Sequence, residues 1–230
     1  MESNSKAGIA VAAVVALLVG GAGGYLISSN MHNDDHMDMK STSVSESKPN
    51  SMTKAADLRS TLVGFGVEHM DLTYAAVAAT LNGSPSAKAD GADLYKNGTD
   101  LGAAVGSIYG KDAETTFNKV WKLHLDEFVN YAVAASKSDE AGKKTALDSI
   151  DANYTKPLAA YLAKANPNLP EDALYQGLKS HVDMTAVMID DEAKGDFDAA
   201  TKLRNDGADH LSELFSTLAD GIVKQFPEKF

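Results

Sequence analysis

Histidine is the side chain whose type and spacing carry the chemical content of this sequence. The triplet His-x-Asp occurs three times, as His69-Met70-Asp71, His124-Leu125-Asp126 and His181-Val182-Asp183, with 55 and then 57 residues between copies. Thr73 and Thr185 extend the first and third copies to His-x-Asp-x-Thr. A fourth helical histidine, His210, follows the third copy, and His32 and His36 complete the set. Neutral imidazole is the commonest transition-metal ligand in proteins, and several imidazoles on apolar helix faces need either buried hydrogen-bond partners or a shared ion. Glu127 and Glu213 stand three residues after His124 and His210, so each pair shares a helix face and could chelate one ion. The aspartates of the triplets stand about 200° round a helix from their histidines, which turns them to solvent or to a neighbouring helix.

A second group of donors lies near the N-terminus. Met31, His32, His36, Met37 and Met39 fall within nine residues that also hold Asp34, Asp35 and Asp38. Thioether with imidazole suits copper, Cu(I) above all, and the carboxylates extend the range to harder ions. The other reading of that stretch is a polar linker whose methionines are incidental. There is no cysteine, which excludes disulfides, thiolate zinc sites and covalent c-type haem attachment.

The elements that must position these donors follow from hydropathy and punctuation. Gly8 to Ile27 is an uncharged apolar run of membrane-spanning length, preceded by Lys6 and followed by acidic residues. It predicts a single-pass anchor, with a signal sequence as the alternative, and places the folded part outside the membrane. Residues 28–53 have linker composition. Residues 54–230 show helical periodicity throughout, broken by turn signals at Asn82-Gly83-Ser84-Pro85, Tyr109-Gly110, Ser138-Asp139, Asn166-Pro167 and Gly195-Asp196. The expected fold is all-α: an antiparallel bundle of about six helices in three hairpin repeats, each hairpin opening with a His-x-Asp helix. Each histidine lies near mid-helix, which predicts that His69, His124, His181 and His210 converge in one or two clusters. Pro157 predicts a kink in the fourth helix. Gly98, Gly102 and Gly106 either let two helices approach or leave room for a ligand.

The net charge of −11, from 21 basic and 32 acidic residues, repels phosphate backbones and makes nucleic acid an unfavourable partner. No phosphate-binding glycine loop, nucleophile elbow or His-Glu-x-x-His motif is present, and two Glu-x-x-His helices of a di-iron bundle are missing, so the reading is non-enzymatic. The motifs Glu68-His69, Asn97 to Leu101, Ile108-Tyr109-Gly110, Trp121-x-x-His124 with Phe128-x-x-Tyr131, Ala165-Asn166-Pro167 and Gln225-Phe226-Pro227 resemble a family of secreted bacterial all-helical proteins. Some members carry the label copper amine oxidase because of a separate attached domain. The resemblance implies an extracytoplasmic helical-repeat domain over residues 55–230 and transfers no oxidase residues. Three functional expectations remain. The first is an anchored module holding a transition metal, copper preferred, through core histidines. The second is a cell-surface interaction domain whose histidines complete the core. The third is a bundle with non-covalent haem between two histidines.

Overall fold

The computed structural model describes residues 53–230, so the expected membrane anchor and most of the linker lie outside it. Thr53 opens the first helix, α1 (Lys54–Leu81), by accepting a hydrogen bond from the Ala56 amide at 3.2 Å, with Asp57 facing the helix dipole. Gly83 takes a positive φ of 65° after α1, and α2 (Ala87–Tyr109) returns. Gly110, at φ 92°, is the single residue between α2 and α3 (Lys111–Ser136), a reversal that demands a glycine. The next turn puts Ser138 at φ 55°, and Asp139 caps the following helix by accepting from the Gly142 amide.

The fourth rod has three pieces: α4 (Glu140–Ile150), a π-helical turn (Asp151–Thr155) and α5 (Lys156–Ala165). Pro157 stands at the head of α5, where its missing amide leaves the Asn153 carbonyl without its usual partner; the widened π turn absorbs that defect. A local widening of the helix thus marks the place where the sequence predicts a kink. The last two helices are α6 (Glu171–Lys194) and α7 (Phe197–Gln225), joined through Gly195 in the left-handed conformation and capped by Asp196. The described residues contain six helical rods and no strand, as the periodicity predicts. None of these helices is long and apolar enough to cross a membrane.

Packing closes the six rods into a ring. α2 packs against α1 and α3, the α4–α5 rod against α3 and α6, and α7 against α6 and α1, while α1, α3 and α6 also touch one another. Those three are the inner helices, and each carries one His-x-Asp triplet. The hydrogen bonds at the helix ends fix direction. Tyr109 at the end of α2 donates to Gln225 at the end of α7, and Asn166 after α5 donates to the Tyr109 hydroxyl, so the three outer helices finish together. Asn82 at the end of α1 donates to Glu192 near the end of α6 at 2.7 Å, so α1 and α6 run in parallel, opposite to the outer rods.

Candidate metal centre

His69, His124 and His181 meet at the centre of the inner trio. All three are buried, and one nitrogen from each lies within 4.8 Å of the corresponding nitrogen of the other two. The His69 ring centroid is 5.6 Å from that of His124 and 5.5 Å from that of His181. An ion at the usual metal–imidazole distance of ~2.0–2.1 Å would space its nitrogens about 3.4 Å apart, so the rings would have to draw in from separations of up to 4.8 Å to hold one.

Aromatic rings hold the imidazoles. Tyr154, carried into the core by the π turn, stacks on His124 at 4.2 Å with an interplanar angle of 19°. Trp121 lies 4.9 Å from His69 and 4.7 Å from His124, and its own edge fits against the bare backbone of Gly98, where a Cβ would stand 2.5 Å from the ring. Asn97 lies beside His69. Its amide group donates to the Phe65 carbonyl at 3.2 Å and to Glu68 at 2.9 Å, while its buried carbonyl oxygen makes no full hydrogen bond but stands close enough to His69 to favour a proton there.

The decisive feature is what the imidazoles lack. His69 Nδ1 and both nitrogens of His124 and of His181 are buried with no hydrogen-bond partner. Buried polar atoms in folded proteins are paired with few exceptions, so five orphan nitrogens in one place require a physical explanation. The charged forms are suppressed. Burial lowers the His69 pKa to about 4, with the Asn97 carboxamide opposing part of the shift. Burial also pushes His124 and His181 well below the ordinary range, and the neighbouring imidazoles push them further. A neutral imidazole with a free lone pair is the form of histidine that can ligate a metal.

The other candidate ligands lie elsewhere. His210 is on α7, an outer helix, and its Nε2 meets the Gly177 carbonyl at 2.8 Å, one turn before His181. Equal level did not suffice: a side chain on an outer rod reaches the flank of α6 and not the axis. Glu127 is committed to Ser149 at 2.7 Å and Asn130 at 2.9 Å. Glu213 is exposed. The triplet aspartates point outward, Asp126 to Lys122 and Tyr95, Asp183 to Lys179, and Asp71 to Arg204. Met31, His32, His36, Met37 and Met39 lie outside the described residues.

The space that the haem expectation requires at the α2 glycines is filled by side chains. Gly98, Gly102 and Gly106 leave no slot, because Trp121, Asn118 and Glu114 of α3 fill the positions their side chains would take. The two cavities that touch the triad are about 50 and 70 Å³, against roughly 300 Å³ or more for a drug-sized ligand. Sequence reasoning did not identify Asn97 and Tyr154 as neighbours of the site. A signal for the second existed in Pro157, since a proline inside a helix predicts register change upstream.

Comparison of the chain with protein-family models, curated proteins and solved structures finds no match. The geometry of the triad is therefore what speaks for function.

Proposed function

We propose that the bundle holds one transition-metal ion through His69, His124 and His181, with copper in the Cu(I) state preferred. The observation that carries this reading is the set of five unpartnered, buried, neutral imidazole nitrogens. The preference for Cu(I) rests on charge. Imidazole suits copper, zinc, iron and nickel alike, but no carboxylate or thiolate joins the three ligands. The cost of burying an uncompensated ion grows as the square of its charge, so a monovalent ion is far cheaper here than a divalent one. Three-coordination by neutral donors is also a geometry that Cu(I) accepts.

In the same reading the three hairpins are copies of one unit, each supplying one ligand to a shared axis. The apolar run at residues 8–27 anchors the chain in the cell membrane as a single pass, with the bundle on the extracytoplasmic side. The segment Met31, His32, His36, Met37, Met39 captures copper and passes it to the bundle. The module is a binding protein, not an enzyme, and has no nucleic-acid partner. We group it with the secreted bacterial helical proteins that its motifs resemble, because those motifs cluster around the triad and around the Tyr109–Asn166–Gln225 end.

The experiment is competitive titration of Cu(I), Cu(II) and Zn(II) into the chain with its linker donors Met31, His32, His36, Met37 and Met39 replaced by alanine, and into single and triple His→Ala variants of it at positions 69, 124 and 181. Tight Cu(I) binding that depends on positions 69, 124 and 181 supports the reading. Equal binding by the variant lacking all three leaves the histidines as core residues of a cell-surface interaction domain.

A further inference from the structure

The triad has a second side. On the side toward the C-terminal ends of α1, α3 and α6 lies a cavity of about 50 Å³, bounded by His69, His124 and His181 and walled by residues such as Leu125, Phe128, Ala76 and Ala132. That is room for an atom pair or a water or two. Thr73 and Thr185 stand one turn beyond His69 and His181 in the same wall, and their hydroxyl protons are committed to the His69 and His181 carbonyls at 2.7 and 2.9 Å. Tyr95, also in the wall, gives its proton to Asp126. Thr80, the remaining hydroxyl, is eleven residues from His69, about 16 Å along the helix. No lysine or arginine lines the space.

Three protein ligands leave a metal ion with an open position, and such openness separates sites that take ligands from closed structural ones. We propose that Cu(I) at the triad binds a neutral diatomic ligand of the π-acceptor class, such as carbon monoxide, in this cavity. This inference rests on the metal-site reading above and deepens it. Size comes from the cavity volume. Neutrality comes from its walls: no lysine or arginine lines the space and its nearby hydroxyl protons are committed, so an anion leaving water gives up its hydration with only the spare ring N–H groups of the ligands in exchange. The ligand class comes from the metal, a soft, electron-rich ion. Binding forms one copper–carbon bond from a ligand lone pair and involves no net transfer of electrons to or from the protein.

The test uses the full chain carrying Met31→Ala, His32→Ala, His36→Ala, Met37→Ala and Met39→Ala, which leaves the triad as its copper site, loaded with Cu(I), exposed to carbon monoxide and followed by infrared spectroscopy. The expected result is one carbonyl band per copper, shifted by isotopic substitution and not displaced by an equal concentration of azide. Ala76→Leu and Ala132→Leu, two separate ways of filling the space, are expected to weaken carbon monoxide binding at least tenfold while copper stoichiometry stays at one. Failure of copper to bind overturns the metal site and this inference together. Retained copper with no carbonyl band, displacement by azide, or indifference to both filled variants overturns this inference alone.

Discussion

Each imidazole of the triad is held neutral by its surroundings, and that has consequences for stability. His69 titrates at its ordinary 6.5 when unfolded and at about 4 when folded, so between these values the unfolded chain binds a proton that the folded chain refuses. Stability is therefore complete above pH 6.5 and falls as the pH drops toward 4, by about 3 kcal/mol from His69 alone at ~1.4 kcal/mol per unit. His124 and His181 shift in the same direction and steepen the fall, to at most about 4 kcal/mol per pH unit for three such groups. Urea unfolding of metal-free protein should show a lower midpoint at pH 5 than at pH 7.5; a flat profile would contradict burial of neutral imidazoles. Metal affinity also separates the residues. His69→Ala, His124→Ala and His181→Ala should each lower Cu(I) affinity at least a hundredfold, whereas His210→Ala, whose ring serves the Gly177 carbonyl, should leave it within a few fold. A chelator competition assay reads both.

At the scale of elements, the close approach of α2 to α3 seats Trp121 against the triad. Gly98→Ala puts a methyl group 2.5 Å from the indole ring and should destabilise by about 1–3 kcal/mol, with a loss of copper affinity as Trp121 shifts against His69. Gly64, also inside a helix but with nothing near its missing side chain, is the control: Gly64→Ala should stabilise by up to about 1 kcal/mol. Thermal unfolding of the two variants, side by side, separates packing from propensity. Opposite signs are expected. The helices themselves were legible in the sequence, because the periodicity, the glycine turns at positions 83, 110 and 195 and the cap at Asp196 all act within a few residues. The π turn was not, since it depends on how the chain accommodates Pro157 while keeping Tyr154 in the core. Nor was Asn97 legible as a neighbour of His69, which lies 28 residues away and meets it only through the α1–α2 packing.

For the whole molecule, ring closure decides which histidines share a site. Counting levels along equal helices brings four imidazoles to mid-height, but only α1, α3 and α6 face the axis, and nothing local in the sequence distinguishes an inner rod from an outer one. The three triplets were the available signal, since their even spacing marks alternate helices of the ring. In the proposed site ligation would tie three inner helices to one ion, so copper should raise the unfolding temperature in proportion to the logarithm of free Cu(I), by the equivalent of about 2.7 kcal/mol at a hundred times the dissociation constant. A calorimetric series over copper concentration tests that, and an unchanged transition would speak against binding in the folded core.

The most direct measurement is X-ray absorption at the copper edge on the Cu(I)-loaded full chain carrying Met31→Ala, His32→Ala, His36→Ala, Met37→Ala and Met39→Ala, which silences the linker donors. The prediction is one copper with three nitrogen neighbours at about 2.0 Å and no sulfur, lost when His124→Ala is added. Copper that fails to bind this chain, or that stays with unchanged coordination after His124→Ala, would contradict a metal centre at the triad.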